Sequence, residues 1–195
     1  MKKTIILLLL QISIFLNAQV CSYITVGTSH GIDLNANSLP GFNAGYLIGI
    51  PLSNNWNLQT GMQFNSMKID NNWSTSEIIG GQSITFDHGR VMDFNFIELP
   101  VSIALKIPFS GKSSFICNAG TYFSVYTGGK TLLRSSNGFA DYALIRTYSD
   151  PFGIGIMSGV GVELNKIFVG IEGNLNLPDG FKPDGVIKTK LGIKL

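Results

Sequence analysis

Charge is scarce in this chain. Charged residues make up 13% of its 195 residues, against roughly 25% in ordinary soluble domains. The formal charge of +2 owes its sign to Lys2 and Lys3 at the extreme N-terminus, and without them the chain is close to neutral. No clustered basic face is left for nucleic acid. Long apolar runs are missing too. The one at residues 5–16 is too short to cross a bilayer as a helix, which needs about 20 apolar residues. There are two histidines, His30 and His88, far apart and without metal-ligand spacing, and two cysteines, Cys21 and Cys117, too few for a disulfide framework. GIGIMSG, at residues 153–159, resembles a dinucleotide-binding fingerprint but no helix pattern follows it. No cofactor and no metal are therefore expected.

What is present begins with a basic start, an apolar stretch and the small residue Ala18, the pattern of a secretory signal peptide over residues 1–18. Lipoprotein processing at Cys21 fits poorly, because the branched Val20 precedes it. Residues 19–195 then form one domain. Its clearest stretch is DFNFIELPVSIALKIPF, residues 93–109, where Ile97, Leu99, Val101, Ile103, Leu105, Ile107 and Phe109 alternate with Glu98, Pro100, Ser102, Ala104, Lys106 and Pro108. A strict period of two makes a strand with two chemically opposite faces. The run exceeds a soluble strand of roughly 5–6 residues and suits the roughly 9–11 of a tilted strand crossing a bilayer.

Seven more segments repeat the pattern, at about residues 23–34, 42–52, 56–69, 114–126, 152–164, 167–177 and 186–195. The connections after the second, fourth and sixth strands are very short, whereas 70–90 and 128–150 are long and polar. Ile78, Ile84 and Phe86 around Gly80 and Gly81 suggest that the first long connection continues as a hairpin. Short turns on one rim, long loops on the other and both chain ends on the short-turn side describe an all-β fold. It is an eight-stranded antiparallel up-and-down transmembrane β-barrel of OmpA/OmpX-like architecture. On that plan Cys21 and Cys117 fall about half a barrel apart, with Cys117 on the apolar face, so no disulfide between them is expected.

Alternation alone leaves open which face is inside, since a soluble lipocalin-like periplasmic ligand binder is also an eight-stranded barrel, with the apolar face inward. Glycine favours the membrane reading. It is concentrated on the polar face (Gly45, Gly49, Gly153, Gly155, Gly159 and Gly161 among others), where it weakens a solvent-exposed strand but makes room inside a narrow lumen. Tyr23, Tyr122, Tyr126, Met157 and Phe168 fill that room. Glu98, Glu163 and Glu172 share the inward parity with Lys106, Lys188, Lys190 and Lys194. They are predicted to pair across the lumen as a structural charge network, since a barrel this narrow leaves no aqueous channel. A narrow transport pore would require the same charges to line a continuous water path.

Ser29 with His30, or Asp87 with His88, invites comparison with barrel-embedded lipid hydrolases. Neither supplies nucleophile, base and orienting acid together, so no catalytic residue is assigned and the chain is not read as an enzyme. Trp73, Phe139 and Tyr142 in the long connections read as rim aromatics or partner contacts.

The segments FNAGYLIGIPLSNNWNLQTGMQF, NFIELPVSIALKIPF, CNAGTYFSVYTGG and FGIGIMSGVGVELNKIFVGIEGNLNL together resemble the PorT-type outer-membrane β-barrel family of Bacteroidota. The IELP stretch at residues 97–100 is the most specific part. The resemblance implies an outer-membrane location, partners among outer-membrane lipid and the barrel-insertion machinery, and possible association with envelope or secretion-system proteins. Such barrels usually end in an aromatic residue that the insertion machinery reads. Here Ile193 and Leu195 keep the alternation without it, which implies a weaker insertion signal.

Overall fold

The computed structural model describes residues 20–32, 37–80, 82–135, 142–145, 151–177 and 185–195. Residues 1–18, expected from sequence to be a signal peptide, lie outside these residues with Phe139 and Gly81, as do the side chains of Trp73, Asp87 and Tyr142. Among the described residues there are ten strands: β1 (Cys21–Ile32), β2 (Asn37–Pro51), β3 (Trp56–Ile79), β4 (Gln82–Ser110), β5 (Ser113–Gly128), β6 (Lys130–Ser135), β7 (Tyr142–Ile145), β8 (Phe152–Leu164), β9 (Ile167–Asn176) and β10 (Gly185–Lys194). All pairings are antiparallel. Eight strands follow one another in the order β3-β2-β1-β10-β9-β8-β5-β4, and β4 pairs back onto β3 to close the ring. Closure leaves no sheet edge in the lipid, which is what makes strands tolerable there.

The outward face is the apolar one. Ile24, Val26, Leu99, Val101, Ile103, Phe123, Ile154, Ile156, Val169 and Ile171 are all exposed on it, whereas Thr25, Asn43, Gln63, Glu98, Ser124 and Asn174 are buried within. This orientation separates a membrane barrel from a lipocalin, whose apolar residues would point inward. On β4 the exposed apolar face runs from Ile97 to Phe109. At ~3.3 Å per residue and a tilt of ~45° it spans a height of ~28 Å, close to the ~25 Å lipid band of outer-membrane barrels. Past its outer end the same face carries the Lys68–Asp93 ion pair, at 3.8 Å.

The strands do not stop where the apolar alternation stops. β3 and β4 remain paired from Asp70↔Val91 to Ile79↔Gln82, and turn at Gly80 with φ +62°. The hairpin expected around Gly80 is thus present, and it stands beyond the lipid band as an unbroken continuation of β3 and β4. β6 pairs with β4 at His88 to Met92, directly beyond the β5 ladder, and β7 pairs with β6. On the opposite rim the turns are short: residues 52–55, 111–112 and 165–166. Pro40 and Pro108 sit where the ladder is already irregular. The β2–β3 register shifts between Leu39 and Phe42, around Pro40, and the β4–β5 register between Pro108 and Ser110. A residue with no N–H is cheapest at such bulges.

Candidate functional site

The barrel interior is the only place where this chain gathers charged side chains out of water among the described residues. Its depth follows from β-strand periodicity: every second residue of eight strands converges on one axis, so polar residues distant in sequence become neighbours.

The structure brings Glu98, Lys106, Glu163, Glu172, Lys188, Lys190 and Lys194 to this inner wall, in two groups. Near mid-barrel, Lys188 is completely buried and bonds Glu98, which also accepts from the Asn174 amide at 3.2 and 3.3 Å. Lys188 lies 3.5 Å from Glu172 as well, and Glu172 is held by Lys190 at 2.5 Å. β4, which carries Glu98, and β10, which carries Lys188, are four strands apart whichever way the ring is followed. Their ion pair therefore crosses the lumen from wall to opposite wall. Nearer the short turns, Glu163 accepts from the Tyr23 hydroxyl at 2.6 Å and from Lys106 at 2.5 Å, with Lys194 at 3.5 Å. Each buried carboxylate thus has a cationic partner; Glu98 and Glu163 accept from a further donor, and Glu172 has a second ammonium at 3.5 Å, the condition under which desolvating such charges is tolerable.

Neutral groups complete the packing. Tyr122 donates its hydroxyl to Asn176 and lies against Gly155, where a Cβ would run into the ring. Phe168 lies edge-on to Tyr23, with centroids 6.3 Å apart, over Gly161 and Gly170. Between them remains a hollow of about 30 Å³, bordered by Tyr23, Asn118, Phe168, Glu172 and Lys190, with room for about one water. Towards the long-loop end the interior turns apolar: Met67, Ile69, Met92, Phe94 and Val186 form a buried cluster capped by Phe96 and Tyr126. The interior is thus charged from mid-barrel to the short turns and carries an apolar cluster towards the long-loop end.

Asn174, which bonds Glu98, and Asn176, which accepts from Tyr122, are neutral partners on this wall to which charge alone does not point. Their shared parity with Glu172 was the available signal. Gln63 and Asn65 are buried on the same wall with side-chain atoms that bond no protein group, and buried amides of this kind are ordinarily served by internal water.

The hydrolase-like pairs do not assemble. Ser29 faces inward and gives its hydroxyl to the carbonyls of Ser66 and Phe42, at 2.5 and 3.2 Å, whereas His30 points out of the barrel on the opposite face of β1. His88 stands on the hairpin beyond the lipid band, 2.9 Å from the Thr75 hydroxyl. Cys21 and Cys117 lie on non-neighbouring strands, and no disulfide joins them.

Among solved structures, the chain is similar to Neisserial surface protein A, at 12% identity and a TM-score of 0.52, covering 90% of this chain and 96% of that one. Similarity to the attachment invasion locus protein Ail of Yersinia pestis is 15% in identity with a TM-score of 0.40, over 90% and 99% of the two chains. For the outer membrane enzyme PagL the values are 13% and 0.36, over 88% and 98%. No curated protein matches the chain in sequence. A model of the outer membrane protein beta-barrel domain matches residues 8–182, so the chain belongs to that outer-membrane β-barrel family, whose place is the outer membrane and whose outward face meets its lipid.

Proposed function

We propose that this barrel is a non-enzymatic structural or interaction protein of the outer membrane, with a closed lumen, that meets partners through the hairpin beyond the lipid band. The observation that carries this reading is the Glu98–Lys188 pair reaching across the ring, beneath the dry cluster of Met67, Ile69, Met92, Phe94 and Val186. An ion would have to displace a fully buried ammonium and then cross an apolar plug, which argues against a transport pore. The seven-residue charge network is structural on this reading: it ties opposite walls together rather than passing ions. The separation of Ser29 and His30 on opposite faces of one strand argues against a hydrolase built on that pair.

The resemblance to the PorT-type barrels of Bacteroidota extends the proposal to secretion-associated envelope partners, with residues 1–18 removed as a signal peptide and the long hairpin facing outward. Two measurements test it. In planar bilayers the purified barrel is expected to give no step conductance, and reproducible steps would replace the closed-lumen reading with a pore. In cells, cysteine variants at Ser135 and Asn54, on a background lacking Cys21 and Cys117, are compared with a membrane-impermeant thiol reagent. Labelling at position 135 alone in intact cells is expected, and labelling at position 54 alone would invert the orientation.

A further inference from the structure

The short-turn rim differs in charge from the rest of the molecule. Among the described residues, the side chains of its turns and of the strand ends beside them are Lys106, Lys112, Lys166 and Lys194 against the single acid Glu163, a side-chain excess of three positive charges. These side chains border one hollow of about 430 Å³ that opens at this rim. That is within the roughly 300–1,000 Å³ typical of small-ligand pockets. Ser114 and Asn165 add neutral hydrogen-bonding groups to its lining.

The lysines are placed by backbone bonds rather than by chance of side-chain reach. The Lys112 carbonyl accepts from the Asn165 amide at 3.1 Å, and the Lys166 carbonyl accepts from the Lys194 amide at 2.7 Å. Adjacent turns are thereby laced together, which fixes three of the lysines side by side along the rim. The fourth, Lys106, is held by its own amide bonding the Asn55 carbonyl at 2.7 Å. Glu163 already accepts from Tyr23 and sits between Lys106 and Lys194, so its single charge offsets part of theirs. Lys112 and Lys166 are exposed at the turns.

From this geometry we infer that the hollow at the short-turn mouth binds a phosphate group. Lysines bordering one hollow act on it as point charges, and an anion with several charged oxygens satisfies more of them at once than a single carboxylate does. The phosphate comes either from a soluble phosphorylated molecule or from the headgroup of an anionic phospholipid in the adjoining leaflet. Which compartment supplies it rests on the orientation proposed above; the binding itself does not, so either can fail alone.

The test is calorimetric titration of the full-length barrel, in micelles of an uncharged detergent, with inorganic pyrophosphate. Saturable binding of one equivalent is expected, weakened about tenfold in K112A/K166A, as the loss of two partly exposed charge contacts implies. That variant removes only side chains, leaving the carbonyls that lace the turns in place. The control K68A, at the other end of the barrel, is expected to bind as the parent does. Phosphatidylglycerol added to the micelles identifies the source: competition with pyrophosphate assigns the site to a lipid headgroup, and its absence assigns it to a soluble phosphate. No saturable binding, or equal binding by the parent and K112A/K166A, overturns the inference.

Discussion

Single residues in this barrel matter in proportion to what they would leave behind in the lumen. Lys188 has no solvent exposure and two carboxylate neighbours. Removing Glu98 alone, as in Glu98→Gln, leaves that ammonium with only the longer contact to Glu172, and a stability loss of about 3 kcal/mol is expected from urea unfolding in micelles. Replacing both partners by apolar residues, Glu98→Met with Lys188→Met, is expected to recover most of that loss, because no charge is then stranded. Lys106 differs in degree. Its side chain is 26% exposed, and the buried Glu163 it leaves behind keeps Tyr23 and Lys194, so Lys106→Ala is expected to cost about 1–2 kcal/mol in the same assay. Gly155 makes the complementary point about volume: Gly155→Ala puts a methyl group into the ring of Tyr122, whose hydroxyl is tied to Asn176. Overpacking of that kind is expected to cost about 1–3 kcal/mol.

At the scale of elements, the hairpin of β3 and β4 contains two regimes on one pair of strands. Up to the Asp70–Val91 pair it is a barrel wall, packed within by Ile69 and Met92; beyond that it is a ladder carried by backbone hydrogen bonds. Trp73 and His88 are register partners, so deleting residues 74–87 and joining them through Asn-Gly forms a two-residue hairpin in the existing register. The shortened protein is expected to insert and to unfold within about 1 kcal/mol of the parent, since the deleted ladder buries none of the lumen cluster. A collapse of stability would show that the hairpin supports the barrel. The length of these strands was the least legible feature of the fold. Hydrophobic alternation reports a difference between two environments, lipid outside and packed lumen inside, and it vanishes once both faces meet water. Pairing persists past that point because the backbone ladder needs no side-chain pattern, and this is also why β6 and β7 gave no strand signal inside a polar connection.

For the whole molecule, function follows from how the ends of the cylinder differ. One end is long, hydrogen-bonded and sealed beneath by an apolar cluster; the other is short-turned, basic and hollow. On the function proposed above, a barrel of this kind is an anchored platform with two distinct faces rather than a conduit. Substituting the plug, as in Met67→Ala with Phe94→Ala, is expected to lower stability while conductance stays absent, because the Glu98–Lys188 pair still bars the lumen beneath it. Current through that variant alone would show the apolar cluster to be the operative barrier.

The sequence by itself determined the eight crossings, their inward and outward faces, and the rim to which each connection belongs. Period-two alternation and turn chemistry are local properties, written within a dozen residues at a time. It also put seven charged residues on the inner wall, since parity is local too. Tertiary structure alone decided which of them meet. Lys188 has Glu172 as its register neighbour, yet bonds Glu98 from across the ring, a contact set by strand order, tilt and closure rather than by any spacing along the chain. The same holds for Asn174 against Glu98, for Tyr122 against Gly155, and for the rim lysines gathered from separate turns. Parity is fixed residue by residue, whereas distance across a closed barrel exists only once all eight strands are in place.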